Sequence, residues 1–262
     1  MTIHNPIEQA AARVRQAYEN RSFCAPVRDL LGDNDLTAGY AVNQFNSDYW
    51  RRQGRRAVGR KIALSSKAVQ QQMGVNQPTY GMLFADMCLA EGVSIDATPY
   101  GQLKLETEIA LVLERPLERA KHTVADIISA VAYAVPAFEI VTSRFNWDVK
   151  PTDFVADNSN GCLFTLGSQP RKLSDFDILR CKMRTTLRGE EVSVGSAAAC
   201  YGNPLNAMIW LADTLAAAGQ PLQSGDVVMT GSLGPMAMIT AGDVFEAEIE
   251  GLGPISLAFD PG

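Results

Sequence analysis

Histidine is nearly missing from this chain, with only His4 and His122 among 262 residues. One stands at the start and the other in the polar Lys121-His122-Thr123 segment, so a His-rich zinc site and a Ser-His-Asp triad are both disfavoured. No apolar run approaches the roughly 20 residues that span a bilayer. The opening MTIHNPIEQAAARVRQAYEN also lacks the apolar segment of a secretory signal, and the cytoplasm is the expected location, with no membrane partner. Positive charge is not in excess either. Lys and Arg total 23 against 29 Asp and Glu, a formal charge of −6, which argues against nucleic acid or an anionic surface as partner. No G-x-G-x-x-G or G-K-[ST] motif occurs, and Gly231-Ser232-Leu233-Gly234 matches no phosphate-loop spacing, so nucleotide binding is disfavoured. The five cysteines, Cys24, Cys88, Cys162, Cys181 and Cys200, are scattered, odd in number and never paired as C-x-x-C; they read as reduced packing residues.

What is present is an ordinary globular composition, 47% hydrophobic and 20% charged, in a chain long enough for a sizeable core. Asn5-Pro6-Ile7-Glu8 predicts a helix start, with Asn5 as cap and Pro6 in the first position. A second helix is expected over Leu36 to Gln53, with Tyr40, Phe45 and Tyr49 inward and Gly54 past its end. The cluster Arg51, Arg52, Arg55 and Arg56 reads as its solvated basic end. From Val58 the pattern changes to short strands and turns. Strands are expected at 59–64, 82–84, 93–95, 103–113, 137–142, 162–166, 179–187, 226–230, 243–250 and 255–259. Helices are expected from Ser65 or Ser66 to Met73, from Val124 to Val135 behind Thr123, and after Asn203-Pro204 until Gly219. This organisation is α+β, a helical region over 1–57 followed by a β-rich body over 58–262.

The stretch LKLETEIALVL, 103–113, carries the first chemical signal. Strand alternation puts Glu106 and Glu108 on one face with Lys104, Ala110 and Val112. Read locally, that is a half-buried strand with a wet charged face. Glu139 alters the balance, because in VPAFEIVTS it has apolar neighbours on both sides and no wet-face explanation. Were its strand beside 103–113, three carboxylates would converge, and a proton or a cation would have to reconcile them. An all-oxygen donor set suits Mg2+ or Mn2+ better than zinc or copper. Lys61, after Arg60 at a strand start, reads locally as a surface lysine. Asp86, in LFADM, is either a structural cap or a site acid. Asp157-Asn158-Ser159-Asn160-Gly161 reads locally as a turn.

Seven segments in order, GRKIALSSKAVQQQMGV (59–75), GMLFADM (81–87), ETEIALVL (106–113), PAFEIVTSR (136–144), VADN (155–158), NPLNAMIWLA (203–212) and SGDVVMTGSLGPM (224–236), resemble the 2-keto-4-pentenoate hydratase and 4-oxalocrotonate decarboxylase group of the fumarylacetoacetate hydrolase superfamily. The resemblance implies a body built on a mixed β-roll and a divalent metal, Mg2+ or Mn2+, on Glu106, Glu108 and Glu139. It implies Lys61 and Asp86 as candidate catalytic residues, and Lys61, Asn158, Ser159, Thr230, Gly231 and Ser232 at a small 2-oxo-acid substrate. It also implies homo-oligomers, as pentamers or pairs of them, and aromatic meta-cleavage degradation, where a pathway enzyme is a possible partner. Hydration of a 2-hydroxy-2,4-dienoate is the expected activity, favoured over a decarboxylase by Leu233-Gly234-Pro235-Met236. A non-catalytic partner subunit is the third alternative. Three positions depart from the pattern: Thr79 stands where relatives carry aspartate, Asn160 where several have serine, and Ser232 where alanine is frequent.

Overall fold

The structure is a computed structural model that describes residues 5–262; His4 lies outside the described residues. Helix α1 (Pro6–Glu19) begins as its sequence dictates, with the Asn5 side chain accepting from the Ile7 N–H. A short α2 (Arg28–Leu31), absent from the sequence reading, precedes α3 (Leu36–Arg52), whose cap is Asp35. The inward face of α3 is only in part the aromatic one expected: Tyr40 stacks on Tyr80 with ring centres 4.4 Å apart and accepts from the Tyr80 N–H. Phe45 is exposed, and the buried residues are Gly39, Val42, Asn43, Asn46 and Ser47. The reason is close approach: a Cβ on Gly39 would sit 2.9 Å from the Thr152 carbonyl, so only small side chains and hydrogen-bonded amides fit there. The Asn46 amide donates to the Ala11 carbonyl at 3.0 Å. Arg55 is likewise not solvated. Its guanidinium clamps Asp86 through two hydrogen bonds of 2.8 and 2.9 Å and lies 4.3 Å from the centre of the Phe84 ring.

The body then runs β1 (Ala57–Ala63), α4 (Lys67–Met73), β2 (Thr79–Phe84), β3 (Cys88–Leu89), β4 (Ser94–Ile95), β5 (Lys104–Leu113), α5 (Val124–Ala130) and β6 (Val131–Val141). It continues through α6 (Pro151–Ala156), β7 (Gly161–Leu166), β8 (Lys182–Leu187), β9 (Glu190–Ser196), α7 (Pro204–Ala217), β10 (Val227–Met229), β11 (Ala237–Met238), β12 (Val244–Ile249) and β13 (Gly253–Phe259). One element differs in kind from its expectation. Helix α5 stops at Ala130 and residues 131–135 are strand, because β6 pairs with β5 along its whole length, from Leu113↔Val131 to Lys104↔Val141. A partner strand about twenty residues back in the chain outweighs the local helix signal. Helix α7 matches its signals: the Asn203 side chain accepts from the Asn206 N–H at 3.1 Å, and Pro204 takes the first position.

Eight strands form a sheet in the order β2-β1-β10-β5-β6-β7-β3, with β11 also on β5, and the remaining five form β4-β13-β12-β8-β9. Parallel pairs (β1 with β10, β3 with β7, β4 with β13) mix with antiparallel ones, and the large sheet curls into a half-barrel, the α+β architecture expected. Strand β5 buries both faces. Leu105, Ile109 and Leu111 enter apolar clusters on one side, and Ala110 packs with Met82, Phe84 and Phe164 on the other. A hydroxyl pair, Thr107 with Thr185 at 2.7 Å, joins the two sheets inside this interior. No helix among the described residues is long and apolar enough to cross a membrane.

Removing the Asn203 cap orphans an α7 backbone N–H, and Asn203→Ala is expected to cost about 1 kcal/mol. The chemical-denaturation midpoint measures it, and Asn203→Ser should recover most of the loss.

Candidate active site

Register brings the carboxylates together. Glu106 on β5 stands directly opposite Glu139 on β6, and Glu108 follows two residues on along the same face. One oxygen from each of the three lies within 4.8 Å of the others. The face is interior rather than wet: Glu108 and Glu139 are buried and Glu106 is half-buried at the edge of a cavity. Lys61 on β1 is no surface lysine either. It is 1% exposed, and its ammonium donates to the Ser159 carbonyl at 2.7 Å and lies 3.0 Å from Glu139 Oε1.

The charges around this cluster do not balance. Three carboxylates face one ammonium: Oε2 of Glu139 and Oε1 of Glu108 are buried without a partner, and Oε1 of Glu139 has only the Lys61 ammonium 3.0 Å away. Burial and the neighbouring Glu139 push Glu106 up to about 7. Glu108 is raised well above its ordinary range by burial, then by Glu139 and Glu106, against the Gly231 N–H that bonds its other oxygen at 2.8 Å. Glu139 is raised by burial, with Lys61 pulling the other way. Three converging carboxylates, two of them with orphaned buried oxygens, are the donor set of a hard divalent cation, and the residues present fit one.

The cavity next to Glu106 has a volume of about 610 Å³. Its deep end holds Lys61, Glu106, Ser159 and Asn160, and its walls include Trp147, Phe154, Leu233 and Pro235. Asn160 matters most among the residues not singled out beforehand as site residues. Its side chain is buried and neither its Nδ2 nor its Oδ1 has a hydrogen-bond partner. It ends a left-handed run in which Asn158, Ser159 and Asn160 have φ of 54°, 49° and 60°, a conformation that L residues adopt at a cost. Trp147 and Phe154 were also missed. Phe154 had a readable signal, since Pro151 and Asp153 mark the start of α6; Trp147 follows the Glu139 strand on a loop where Asn146 and Trp147 are themselves left-handed.

Four predicted site residues, Asn158, Asp86, Thr230 and Gly231, do not line the cavity. Asn158 is taken up by the frame: its Oδ1 accepts from the Met82 N–H at 2.7 Å and from Asn43, and its Nδ2 donates to the Met82 carbonyl. Asp86 stands apart from the carboxylate cluster, with its side chain 58% exposed and bound to Arg55, which makes it an anchor for the α3 end rather than a site acid. Thr230 hydrogen-bonds the Ile109 carbonyl and lies outside the cavity wall, and Gly231 serves Glu108 through its N–H. At Gly231, φ is +107° and a Cβ would lie 2.5 Å from Ser65 Oγ, so a side chain has no room there. Ser159 and Ser232 do line the cavity, although both hydroxyls already donate within the chain, to Tyr80 O and Gly234 O. Thr79, where an aspartate was expected, is fully buried and bonded to Ser159 Oγ at 3.2 Å.

Residues 53–258 match the model of the fumarylacetoacetate (FAA) hydrolase C-terminal family. The chain belongs to this family. A protein of Dechloromonas aromatica named 2-keto-4-pentenoate hydratase 1 is 49% identical over 96% of both chains. The 2-hydroxyhexa-2,4-dienoate hydratase of Comamonas testosteroni is 34% identical over 97% of each. Among solved structures, 4-oxalocrotonate decarboxylase from Pseudomonas putida G7, complexed with magnesium and adipate, superposes with a TM-score of 0.92 over 97% of both chains at 29% identity. Within the FAA hydrolase family, then, the chain is similar both to hydratases in sequence and to a decarboxylase in structure.

Proposed function

We propose that the chain is a divalent-metal-dependent hydratase, adding water to a 2-hydroxy-2,4-dienoate to give a 4-hydroxy-2-oxo acid in the degradation of aromatic compounds. The observation that carries this reading is the Glu106–Glu108–Glu139 cluster beside Lys61 at the deep end of a largely apolar cavity. The similarity to several hydratases at 42–49% identity supports the reaction type. Glu106, Glu108 and Glu139 would hold Mg2+ or Mn2+, which supplies Lewis-acid stabilisation of charge on a bound 2-oxo acid.

The chain's own groups do the rest. Lys61 adds fixed positive charge where the substrate carboxylate and 2-oxygen are held, and its contact with Glu139 forms a buried pair able to move a proton. In the overall change the 2-hydroxyl loses a proton and C5 gains one, and water adds across C3 and C4, its oxygen bonding C4 and one of its protons going to C3. Asn160 offers one free donor and one free acceptor to orient an oxygen or a water. The apolar walls exclude bulk water from the dienolate. The reading includes a homo-oligomer, checked by analytical ultracentrifugation.

The likeness to the decarboxylase favours a second reading, release of carbon dioxide from an oxalocrotonate-type dicarboxylate. Product analysis with Mg2+ or Mn2+ separates them: a 4-hydroxy-2-oxo acid from the dienoate is the expected result. Carbon dioxide from the dicarboxylate without hydration of the dienoate would replace the first reading with the second. Neither product would remove both and leave the non-catalytic subunit.

A further inference from the structure

The cavity has a direction. Its charged residues, Lys61 and Glu106, sit at the deep end with the buried Ser159 and Asn160, while Val69, Val194 and Met236, which line it beside the half-buried Ser66, Ser196 and Ser232, are 39%, 53% and 46% exposed. A ligand anchored by its carboxylate at the deep end therefore extends its other end past Trp147 and Leu233 towards an apolar mouth. Positive charge is missing along that path. Among the described residues that line the cavity, Lys61 is the only cation, and it is held by Glu139 and the Ser159 carbonyl. The nearby cations do not line the cavity and are engaged by other groups: Lys104 sits 3.5 Å from the centre of the Trp147 ring, Lys67 sits 5.5 Å from that of Tyr201, and Arg144 is paired with Asp157. The lining carboxylate, Glu106, would repel a second negative group. A volume of 610 Å³ also exceeds what a five-carbon acid needs, and falls in the range of pockets that enclose larger organic ligands.

Resting on the hydratase reading, we infer that the site selects 2-hydroxy-2,4-dienoates whose tail beyond C5 is uncharged and apolar, alkyl or aryl, and discriminates against those ending in a second carboxylate. Val69, Val194 and Met236 at the mouth, with Trp147, set that preference. A tail carboxylate would lose water against apolar walls without a cation to receive it, whereas each added methylene that reaches the wall gains about three-fold in binding.

Two measurements test this. In the first, kcat/KM is compared for 2-hydroxypenta-2,4-dienoate, its 5-methyl and 5-phenyl derivatives, and 2-hydroxyhexa-2,4-dienedioate, with Mn2+ supplied. The substituted monoacids are expected to match or exceed the parent, and the diacid to fall about 100-fold, mainly through KM. A diacid hydrated within ten-fold of the 5-methyl compound would overturn the inference. The second does not depend on turnover: calorimetric binding of 2-oxohexanoate and 2-oxoadipate to the Mn2+-loaded protein. The monoacid should bind at least ten-fold more tightly, and Val194→Lys, which puts a cation at the exposed mouth, should shrink the gap about ten-fold. Equal affinities in the wild type, or a gap that Val194→Lys leaves unchanged, would defeat the inference. Absence of hydration from every dienoate, with the binding preference intact, would remove the hydratase reading alone.

Discussion

Glu139→Gln is expected to lose divalent-metal affinity and activity together, with kcat/KM falling roughly 10²–10³-fold. The substitution keeps the shape of the side chain and removes one charge, so packing against β7 should survive. Two things are lost at once. Glu139 is one of the three converging carboxylates, and it is also the counter-charge 3.0 Å from the Lys61 ammonium. With residue 139 neutral, the buried Lys61 ammonium keeps the Ser159 carbonyl but loses the carboxylate charge 3.0 Å away, an unfavourable state that feeds back on the whole cluster. Titration with Mn2+ by calorimetry or electron paramagnetic resonance reads the first loss, and steady-state rates read the second. Full Mn2+ affinity in Glu139→Gln would show that the three-ligand arrangement is wrong. Glu114→Gln is the control, since Glu114 is exposed just beyond the end of β5. Lys104 is a poorer one, because it packs on Trp147.

The metal-stripped protein should lose thermal stability as pH rises from 5 to 7.5, whereas the metal-saturated protein should hold or lose much less. The sign follows from proton counting. Glu106, Glu108 and Glu139 all have folded-state values raised above the ordinary carboxylate range, Glu106 to about 7. Between the ordinary range and those raised values, the folded chain binds more protons than the unfolded chain. Stability contributed by the protonated forms is thus complete at low pH and is lost as pH climbs through the window. Asp157, raised to about 6 by burial, adds in the same direction. Carboxylates lowered by their partners, such as Asp213 beside His122 and Lys121, have already ionised below the window and do not contribute to its slope. A divalent cation removes the penalty of ionisation, so the rise in Tm on adding Mg2+ should be several degrees larger at pH 7.5 than at pH 5. Differential scanning calorimetry at both pH values gives the comparison directly. Metal binding should also release protons, measured as a dependence of binding heat on buffer ionisation enthalpy. A metal-induced rise in Tm that is greater at pH 5 would contradict the raised carboxylates.

Much of the chain could be read locally. The caps at Asn5, Ser66, Thr123 and Asn203 stand where hydrogen-bonding side chains precede helical spacing. The shared face of Glu106 and Glu108 is a property of any strand, and Glu139 was conspicuous because an apolar strand leaves a carboxylate no solvent. What local reading could not supply was adjacency. The opposition of Glu106 and Glu139 is a register between strands thirty residues apart, and the same register converts 131–135 from helix to strand. Lys61 looked like a surface lysine for an equivalent reason: β10, which flanks it opposite β2, and the Ser159 and Glu139 groups its ammonium meets come from distant parts of the chain. Polar residues facing inward on α3 ran against the usual hydrophobic rule; the close passage of α6 at Gly39 and Asn43, and the Ala11 carbonyl of α1 at Asn46, explain them. The motif resemblance supplied the ligand set that spacing alone left open, yet it carried Asn158 and Asp86 into roles the geometry gives to the frame.

The left-handed turn at 158–160 has a consequence for mutations remote from any ligand. Three successive L residues held there cost on the order of 1–3 kcal/mol each, so the turn persists only while its surroundings restrain it. Those restraints are the Asn158 amide gripping Met82 and Asn43, and the Asp157–Arg144 pair at its root. Loss of Asn43, which touches no substrate, would release the turn towards ordinary backbone geometry and carry with it the Ser159 carbonyl under Lys61 and the free amide of Asn160. Sequence drift in the helical region is thereby coupled to the alignment of the ammonium and the amide, and α3 belongs functionally to the site it never enters.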